Sequence, residues 1–589
     1  MQEGYFLENL VYLEMLSRGY EVYVGETYNG EIDFVAVKDG KKCFIQVAYL
    51  LASEETVRRE FGAYGSVRDR PYPHRKYQGD NLLTMKLTAE HSDMTMSEPI
   101  VVLNRDDCLK MGVGPNDRVR ITGSDTVVSA VIVSDTLVPK GTIGVSDFIS
   151  GRCGASPGDA LDVIYSPMPE SVRSIRSKID GNILSREEIG SIVWDIQDGN
   201  LSANEIIAFV SAFNKNNASM DEIAMLAQSM ASTGRTIDLG TDRVFDFHSL
   251  GGVPGNKITP IVVSIVASEG IVIPKLSSRA VSSACGTADY VDTFCDVEMS
   301  SDELKDAIRR AGGVFACGNQ DYAPVGSIII GAERPMGIDP RPMMIASIMS
   351  KKIAIGTTDL VVDIPSGEGS KISDMRIARE YARDLIKIGK ILGMNVECAV
   401  TDAEEPIGRM IGPILEAKEC IEILENGDGD VTVVDKACSI AGMILEMAGM
   451  IDGKSIAMAD LRSGKAYEKF LEIMRIQNGD PDLRSSDLIP GRYVKDVHAK
   501  YSGYLQYIDN RNMVAIAKGA GAPCDTGAGI EIMHKKGDLV KEGDVLFRIY
   551  AENKAKLERA VESARSRRPM LVKDETVSRK EEMIIERIR

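Results

Sequence analysis

The stretch HSLGGVPGNK at residues 248–257 lies directly before the apolar run ITPIVVSIVA at residues 258–267. Glycine lets a backbone approach a ligand closely, and free N–H groups at the start of a helix favour bound anions. Lys257 adds a positive charge to the same stretch. We therefore expect an anion-binding loop here, followed by a helix of an α/β domain.

A second polar cluster, SSRAVSSACGTAD, occupies residues 277–289 and carries five hydroxyl groups and one arginine within 11 residues. Hydroxyl groups donate hydrogen bonds to phosphate oxygens, and arginine binds them through two N–H groups at once. Either cluster alone is also compatible with a plain turn or a polar helix start. Because each of them follows an apolar, strand-like run, together they favour phosphate binding.

The chain from Asp242 onward alternates strand-like and helix-like segments. Residues 360–364 are mostly apolar, which is typical of a buried parallel strand. An amphipathic helical pattern at residues 373–392 follows, and residues 396–400 are the next strand. This alternation predicts an α/β fold class with a mainly parallel sheet.

The regions on either side of this domain have different patterns. Three capping boxes, which begin at Ser185, Ser202 and Ser219, each precede an apolar periodic stretch and predict a bundle of short helices. Short β-branched runs within residues 85–166 predict a small barrel.

Short strands return at residues 494–552, and the tail after Lys554 alternates charge signs. This tail is predicted to be a solvated helix followed by a loose end.

The first 80 residues form a separate unit. GEIDF at residues 30–34 and FIQVA at residues 44–48 resemble a restriction-nuclease-like module found at the end of a family of ATPases. Asp33 matches the metal-binding aspartate of that module, but residues 46–48 lack its second carboxylate and its lysine, so a divalent metal would be poorly held. We expect an inert remnant, followed by a basic linker at residues 68–80.

Composition excludes several classes of protein. The chain has 87 acidic and 69 basic residues and a net charge of −18, which disfavours a general nucleic-acid footprint. It has no apolar run near the roughly 20 residues of a membrane-spanning helix, and its N-terminus lacks a signal-peptide pattern. Ten scattered cysteines without a CxxC pair and five histidines without an HExxH pair predict a reduced, cytoplasmic protein that holds no metal.

The two polar clusters resemble the phosphate-binding motifs of the thymidine and pyrimidine-nucleoside phosphorylase family, and they resemble its archaeal AMP phosphorylase branch more closely still. The resemblance covers about residues 85–570 and leaves the first 80 residues outside it. The matching motifs are Gly251–Lys257, Ser277–Ala280, Gly286–Asp289, Glu333–Pro340, Ala346–Lys352 and Thr401–Arg409.

The resemblance implies a nucleoside phosphorylase class II fold, in which a cleft between a helical lobe and an α/β lobe holds the active site. It also implies a small N-terminal β-barrel, a C-terminal β-rich domain, and a homodimer or a higher homo-oligomer. We therefore divide the chain into 1–80 for the nuclease-like module and linker, 85–168 for the barrel, 170–240 with about 325–356 for the helical lobe, 242–493 for the α/β lobe, and 494–589 for the C-terminal domain and tail.

The implied reaction is phosphorolysis by a pentosyltransferase. AMP, and also CMP or UMP, would react with orthophosphate to give the free base and α-D-ribose 1,5-bisphosphate. No cofactor is implied, because orthophosphate is itself the co-substrate. The family's pyrimidine-nucleoside (thymidine) phosphorylase activity is the alternative, but that branch has a phosphate-binding lysine where this chain has Phe247.

The family motifs also imply roles for single residues. Asp339 corresponds to the proton donor, a role that requires a carboxyl buried by closure of the cleft. The implied substrate-binding residues are Gly252, Ser278, Arg279, Ala280, Val281, Ser282, Ser283, Thr287, Ser347 and Lys371. The cations Lys257, Arg279 and Lys371 would balance the charge of the two phosphate groups.

Three assignments stay open on sequence alone. His248 is either the acid or a helper near the substrate, Lys351 contacts the base or is a surface charge, and Lys257 is a candidate phosphate ligand. A non-enzymatic alternative is nucleic-acid binding led by the N-terminal unit, which the net charge disfavours. Its basic residues are Arg58, Arg59, Arg68, Arg70 and Arg75.

Overall fold

The structure is a computed structural model, and the chain divides into two compact units, Met1–Thr84 and Met85–Arg589. The linker, residues 46–48, the five arginines of the nucleic-acid alternative, Val281 and Ser282 lie outside the described residues. The described residues are Met15, 20–27, 30–38, 41–45, 84–92, 99–124, 126–215, 218–280, 283–318, 321–580 and 582–589.

The described part of the first unit contains an antiparallel three-stranded sheet in the order β1-β2-β3. The backbone of Asp33 lies on β2, whereas its side chain is outside the described residues. The predicted nuclease remnant therefore stays a prediction. The strands are β1 Glu21–Thr27, β2 Gly30–Lys38 and β3 Lys41–Ile45.

The second unit begins with a closed six-stranded barrel in the order β4-β8-β5-β7-β6-β9. Successive side chains of a strand point to opposite faces, so one face of each strand lines the barrel interior. Val101, Val119 and Ile143 lie in this interior core and are completely buried. Its elements are β4 Met85–His91, β5 Ile100–Leu103, α1 Arg105–Met111, β6 Arg118–Thr122, β7 Thr126–Val133, β8 Thr142–Val145, α2 Asp147–Cys153 and β9 Ala160–Tyr165.

A helical bundle follows the barrel. The three predicted capping boxes are confirmed: the hydroxyl groups of Ser185, Ser202 and Ser219 each accept the N–H of the glutamate three residues later, whose carboxylate accepts the serine N–H. These reciprocal bonds satisfy N–H groups that have no partner inside the helix. The helices are α3 Ser171–Ile179, α4 Arg186–Gln197, α5 Ala203–Lys215 and α6 Met220–Ser232.

The α/β lobe comes next in the chain. Two of its helices, α10 and α11, return to the helical bundle, and α11 packs along α6. The elements are β10 Phe245–Ser249, α7 Thr259–Ser268, β11 Ile273–Ser277, α8 Thr287–Val291, α9 Ser301–Ala311, β12 Gly313–Cys317, α10 Val325–Glu333, α11 Arg341–Ala354, β13 Asp359–Ser366, α12 Met375–Leu392, β14 Asn395–Asp402, β15 Met410–Ile411, α13 Pro413–Asn426, α14 Val431–Met447, α15 Gly453–Arg462 and α16 Lys465–Ile476.

The C-terminal region contains two small sheets, with strand orders β15-β18-β20-β16 and β19-β17-β21. Its elements are β16 Tyr493–His498, β17 Gly503–Ile508, α17 Asn510–Ala520, β18 Gly529–Ile532, β19 Leu539–Val540, β20 Val545–Ala551, α18 Lys554–Arg567, β21 Met570–Lys573 and β22 Ile584–Ile588.

The central sheet has the order β10-β13-β14-β22, and its first three strands run parallel. Successive side chains of β13 point to opposite faces. Leu360 and Val362 pack against the helical bundle, whereas Val361 packs on the other side with α7 and α14. Every residue of β13 is therefore buried, as expected for a parallel strand covered on both faces. β11 and β12 form a separate parallel pair.

The end of the chain corrects the sequence prediction of a loose tail. β22 pairs antiparallel with β14 at the edge of the central sheet. Arg587 forms an ion pair with Glu397 at 2.7 Å, and the N–H of Met583 donates to Asp435 at 2.7 Å. The β-branched residues of β22 suit an edge strand, but the charge alternation around them concealed this pattern. Within the described residues, none of the helices has the length and apolar character needed to cross a membrane.

One buried ion pair braces the helical bundle. Lys178 on α3 and Glu222 on α6 lie 2.7 Å apart, and both side chains are 1% exposed. The same carboxylate accepts the N–H of Leu184 at 2.9 Å. Removing one charge from such a pair leaves the other buried without its counter-charge.

We expect Glu222→Leu to lower the free energy of unfolding by about 3–5 kcal/mol, for this reason. Urea unfolding measures the change. The double variant Lys178→Met/Glu222→Leu is the control and should recover much of the loss, because no buried charge then remains. Equal losses in the single and double variants would contradict this account.

Candidate active site

The two predicted loops follow neighbouring strands. Residues 250–257 leave the end of β10, and residues 278–286 leave the end of β11. Gly252 has φ +90°, and a Cβ atom there would lie 2.6 Å from the backbone nitrogen of Lys371. Only glycine permits this approach, so the first loop lies directly against the segment after β13.

Asp289 holds the second loop closed. Its Oδ2 accepts the N–H of Ala280 at 2.8 Å and the N–H of Gly286 at 2.8 Å. Within this loop Ser278 is exposed, and Thr287 is the first residue of α8. The hydroxyl group of Ser283 donates to the carbonyl of Cys285 at 2.9 Å. These hydrogen bonds join the described parts of the loop, residues 278–280 and 283–286, to the first turn of α8 and to each other.

Arg279 does not have the environment that the sequence predicts. Its guanidinium lies 2.9 Å from Asp292, 3.1 Å from Glu298 and 3.8 Å from Asp289. Burial opposes its charge, but the hydrogen bonds to these carboxylates raise the pKa of Arg279 overall. In this conformation three acidic side chains pair with the guanidinium, and its role as a phosphate ligand stays a prediction.

Lys257 also has partners within the protein. Its side chain is fully buried, and its ammonium donates to Glu419 at 2.6 Å and to the carbonyl of Ile407 at 3.0 Å. It ties the glycine loop to a segment 150 residues away in sequence. Lys257 is thus a buried, paired charge in this conformation, and its candidate role as a phosphate ligand stays a prediction.

The predicted proton donor lies beside a predicted binding residue. Asp339 precedes α11, and its carboxylate lies 2.5 Å from the ammonium of Lys371. The Asp339 side chain is 48% exposed. The implied proton-donor role calls for a raised pKa or a transient protonation that burial in a closed cleft would supply, and in this conformation the carboxyl is half-exposed.

Glu333, at the end of α10, is the buried carboxyl of this region. It is 6% exposed, and its Oε1 has no hydrogen-bond partner among the residues that the structure describes. Burial, followed by the negative charge of Asp339, raises the pKa of Glu333 to about 7, and Lys371 acts in the opposite direction. Glu333 therefore holds a proton more readily than an ordinary glutamate.

His248 lies among positive charges at the end of β10. Burial, followed by the charge of Lys352, lowers its pKa well below the usual value, and Lys275, Lys351 and Lys371 act in the same direction. The imidazole is thus held neutral, which argues against His248 as the acid. Lys351 is partly buried rather than a surface charge.

Lys351 lies one turn after Ser347 on α11, and both side chains are partly exposed. A Cβ atom on Gly326 would lie 3.5 Å from the Ser347 hydroxyl group, so α10 and α11 are close at this point. α11 and the segment before it thus carry Asp339, Ser347 and Lys351, and the charges of Lys351 and Lys371 act on His248 at the end of β10.

Several residues of this site escaped the sequence analysis. Lys275 interrupts the apolar run of β11, and a lysine inside a buried strand is a signal that was available. Asp289 stands in a quoted motif, but its bonding to the loop backbone is visible only in the structure. The others are Asp246, Glu333 and Lys352.

Comparison with protein families matches the three parts that surround this cleft. Residues 172–234 match the helical bundle domain of a glycosyl transferase family, and residues 241–467 match its a/b domain. Residues 504–570 match the pyrimidine nucleoside phosphorylase C-terminal domain. The fold and the matched domains define a pentosyltransferase of the nucleoside phosphorylase class II type.

Comparison with individual proteins narrows the assignment. The chain is 42% identical to AMP phosphorylase of Thermococcus kodakarensis, over 84% of this chain and 99% of that protein. It is 41% identical to AMP phosphorylase of Methanosarcina mazei, over 83% of this chain and 97% of that protein. The chain belongs to the AMP phosphorylase family.

A solved structure of anthranilate phosphoribosyltransferase from Thermus thermophilus also matches, with 17% identity and a TM-score of 0.44 over 52% of this chain and 99% of that chain.

The raised pKa of Glu333 predicts a pH-dependent stability. The ordinary value is 4.5 and the folded value is about 7, so the folded chain binds more protons between these values than the unfolded chain. The free energy of unfolding therefore falls as pH rises through this window.

We expect Glu333→Gln to remove this part of the pH dependence and to raise Tm at pH 8 relative to the unchanged chain. Thermal unfolding at pH 5 and pH 8 measures it, with Glu187→Gln on the exposed side of α4 as the control. If Tm of both variants followed that of the unchanged chain at both pH values, Glu333 would not have a raised pKa.

Proposed function

We propose that the protein transfers the ribosyl group of a nucleoside 5′-monophosphate to orthophosphate. AMP and orthophosphate give adenine and α-D-ribose 1,5-bisphosphate, and CMP and UMP are further substrates. The N-glycosidic bond breaks, a bond forms between C1′ and a phosphate oxygen, and the base leaves with a proton. The reaction uses no cofactor, since orthophosphate is the second substrate.

The similarity to AMP phosphorylases along nearly their whole length carries this proposal. The cleft supports it, because loops at the ends of β10 and β11 face side chains of α11 and of the segment before it. A closing cleft would exclude water from the reacting atoms. The alternative substrate, a pyrimidine nucleoside such as thymidine, is decided by experiment.

The ion pair between Asp339 and Lys371 suggests an order of events. A substrate phosphate carries two negative charges and competes with Asp339 for the ammonium of Lys371. Once Lys371 turns to the nucleotide, Asp339 is free to take up a proton and pass it to the leaving base. Protonation matters here, because an anionic purine is a poor leaving group.

We also propose that the chain acts as a homodimer. The helical bundle and the segment before it expose large apolar side chains, which include Met168 at 57%, Ile183 at 75% and Trp194 at 45%. Exposed apolar groups of this size are common at subunit interfaces. Light scattering coupled to size-exclusion chromatography measures the oligomeric state.

A substrate panel tests the proposed activity. The full chain is incubated with orthophosphate and, separately, AMP, CMP, UMP, adenosine or thymidine, and the released base is measured by chromatography. We expect adenine from AMP together with ribose 1,5-bisphosphate, and at least tenfold less base from adenosine, because a phosphate that binds cations through charged hydrogen bonds contributes roughly this much. Cleavage of thymidine without cleavage of AMP would establish the alternative.

The role of Asp339 gives a second test. Asp339→Asn keeps the shape of the side chain but removes the carboxyl proton, so we expect kcat with AMP to fall by roughly 10²–10⁴-fold. Asp302→Asn, on the exposed first turn of α9, is the matched control. Near-normal turnover by Asp339→Asn would exclude this residue as the proton donor.

A further inference from the structure

Two lysines pair with a single carboxylate beside β10, and the charge of a third lysine acts on one of them. Lys352 on α11 lies 2.5 Å from Asp246, and Lys275 on β11 lies 3.9 Å from the other oxygen of the same carboxylate. That second oxygen also accepts the N–H of Phe247 at 2.7 Å. Lys351, adjacent to Lys352, has no ion-pair partner in the described part of the chain. We call Lys275, Lys351 and Lys352 the lysine cluster.

The lysine cluster carries more positive charge than its surroundings balance. Asp246 is completely buried and supplies one negative charge, whereas the cluster supplies up to three positive charges and His248 is held neutral. Leaving charges buried without a counter-charge is costly. The cost is visible at Lys275, where burial and then the charge of Lys352 lower the pKa to about 7. An anionic ligand would remove this imbalance.

Lys275 is a buried member of the cluster whose ammonium has few hydrogen bonds within the described part of the protein. It is 5% exposed, and its one hydrogen bond in this region is to the carbonyl of Leu276 at 3.2 Å. The ammonium lies 4.8 Å from the ring centroid of Phe247, a side chain that offers no hydrogen-bond acceptor oxygen. Two of its donor hydrogens therefore lack an acceptor oxygen among the described residues.

A second unsatisfied group lies on the same side of β11. Residues two apart in a strand point to the same face, so Ser277 shares the face of Lys275. The hydroxyl oxygen of Ser277 is buried and has no hydrogen-bond partner within the described ranges. Ser277 is also the last residue of β11, directly before the loop at residues 278–286. An ammonium and a hydroxyl group are thus both left without full hydrogen bonding at the mouth of the predicted phosphate loop.

We propose that Lys275, together with Lys351 and Ser277, forms a binding subsite for one phosphate dianion at the inner end of the cleft. The proposal rests on the proposed function and deepens it, because the reaction brings two such groups, orthophosphate and the 5′-phosphate of the nucleotide. The nucleoside phosphorylase branch has a phosphate-binding lysine at the position of Phe247. In this chain, Lys275 on the neighbouring strand β11 supplies the positive charge instead. Asp246 and Lys352 remain paired and position the subsite.

The test measures binding separately from turnover. Isothermal titration calorimetry of the full chain uses orthophosphate, AMP and adenosine as probes, with the unchanged protein, Lys275→Met, Lys275→Arg and Lys305→Met. Lys305 is an exposed lysine of α9 and serves as the matched control. Orthophosphate binding is measurable even if AMP is never cleaved, so failure of the proposed activity does not obscure the result.

We expect Lys275→Met to weaken binding of one phosphate ligand by about tenfold or more, since a hydrogen bond to a charged group contributes that much. A loss for orthophosphate alone assigns the subsite to the co-substrate. A loss for AMP, with adenosine unchanged, assigns it to the 5′-phosphate. Lys275→Arg should retain most of the affinity, and Lys305→Met should match the unchanged protein.

Thermal unfolding distinguishes a binding role from a structural one. Removing an under-compensated buried charge should leave Tm of Lys275→Met equal or higher, because the repulsion between Lys275 and Lys352 disappears. Unchanged affinity for both orthophosphate and AMP in Lys275→Met would overturn the proposal. A lower Tm with equal losses for all three probes would also overturn it, since that pattern reports a general disruption of the fold.

Discussion

The buried ion pair between Asp246 and Lys352 joins the two halves of the cleft. Asp246 lies on β10, directly before His248 and the glycine loop, and Lys352 lies on α11, which carries Ser347 and Lys351. Both side chains are at most 2% exposed, so solvent screens their attraction little. The position of α11 relative to the strand ends therefore depends on a charge that the sheet itself supplies.

Several buried lysines have a carboxylate of their own: Lys178 has Glu222, Lys257 has Glu419, and Lys436 has Asp363 at 2.8 Å. Sharing also occurs, since Lys535 and Arg579 both pair with Glu405. In the lysine cluster, two buried lysines share the single carboxylate of Asp246. The cluster is therefore a place where buried positive charge exceeds the negative charge that pairs with it.

The fold was largely predictable because its signals are local. Capping boxes, apolar periodicity and glycine-rich loops depend on residues within a few positions of one another, and the structure places helices, strands and loops where these signals stand. The environments of Arg279 and Lys257 were not predictable in the same way. The carboxylate that neutralises Lys257 lies 162 residues further along the chain, and a motif shows the type of a residue but not its partners. The pairing of β22 with β14 was missed for the same reason, since an edge strand is defined by the neighbour that it joins.

The ion pairs of the candidate site are of two kinds, exposed and buried, and they differ in how easily a ligand replaces one partner. Lys371 is held by Asp339 at an exposed position, where the ion pair contributes at most about 1 kcal/mol and exchanges readily for a stronger acceptor. Lys257 and Lys352, by contrast, are held by buried carboxylates, and separating them would leave charges stranded in the interior. Buried pairs thus fix the frame of the site, whereas the exposed pair is the one that a doubly charged substrate is able to open. In the proposed reaction, the event that binds the phosphate would also release Asp339 for its proposed role as the proton donor.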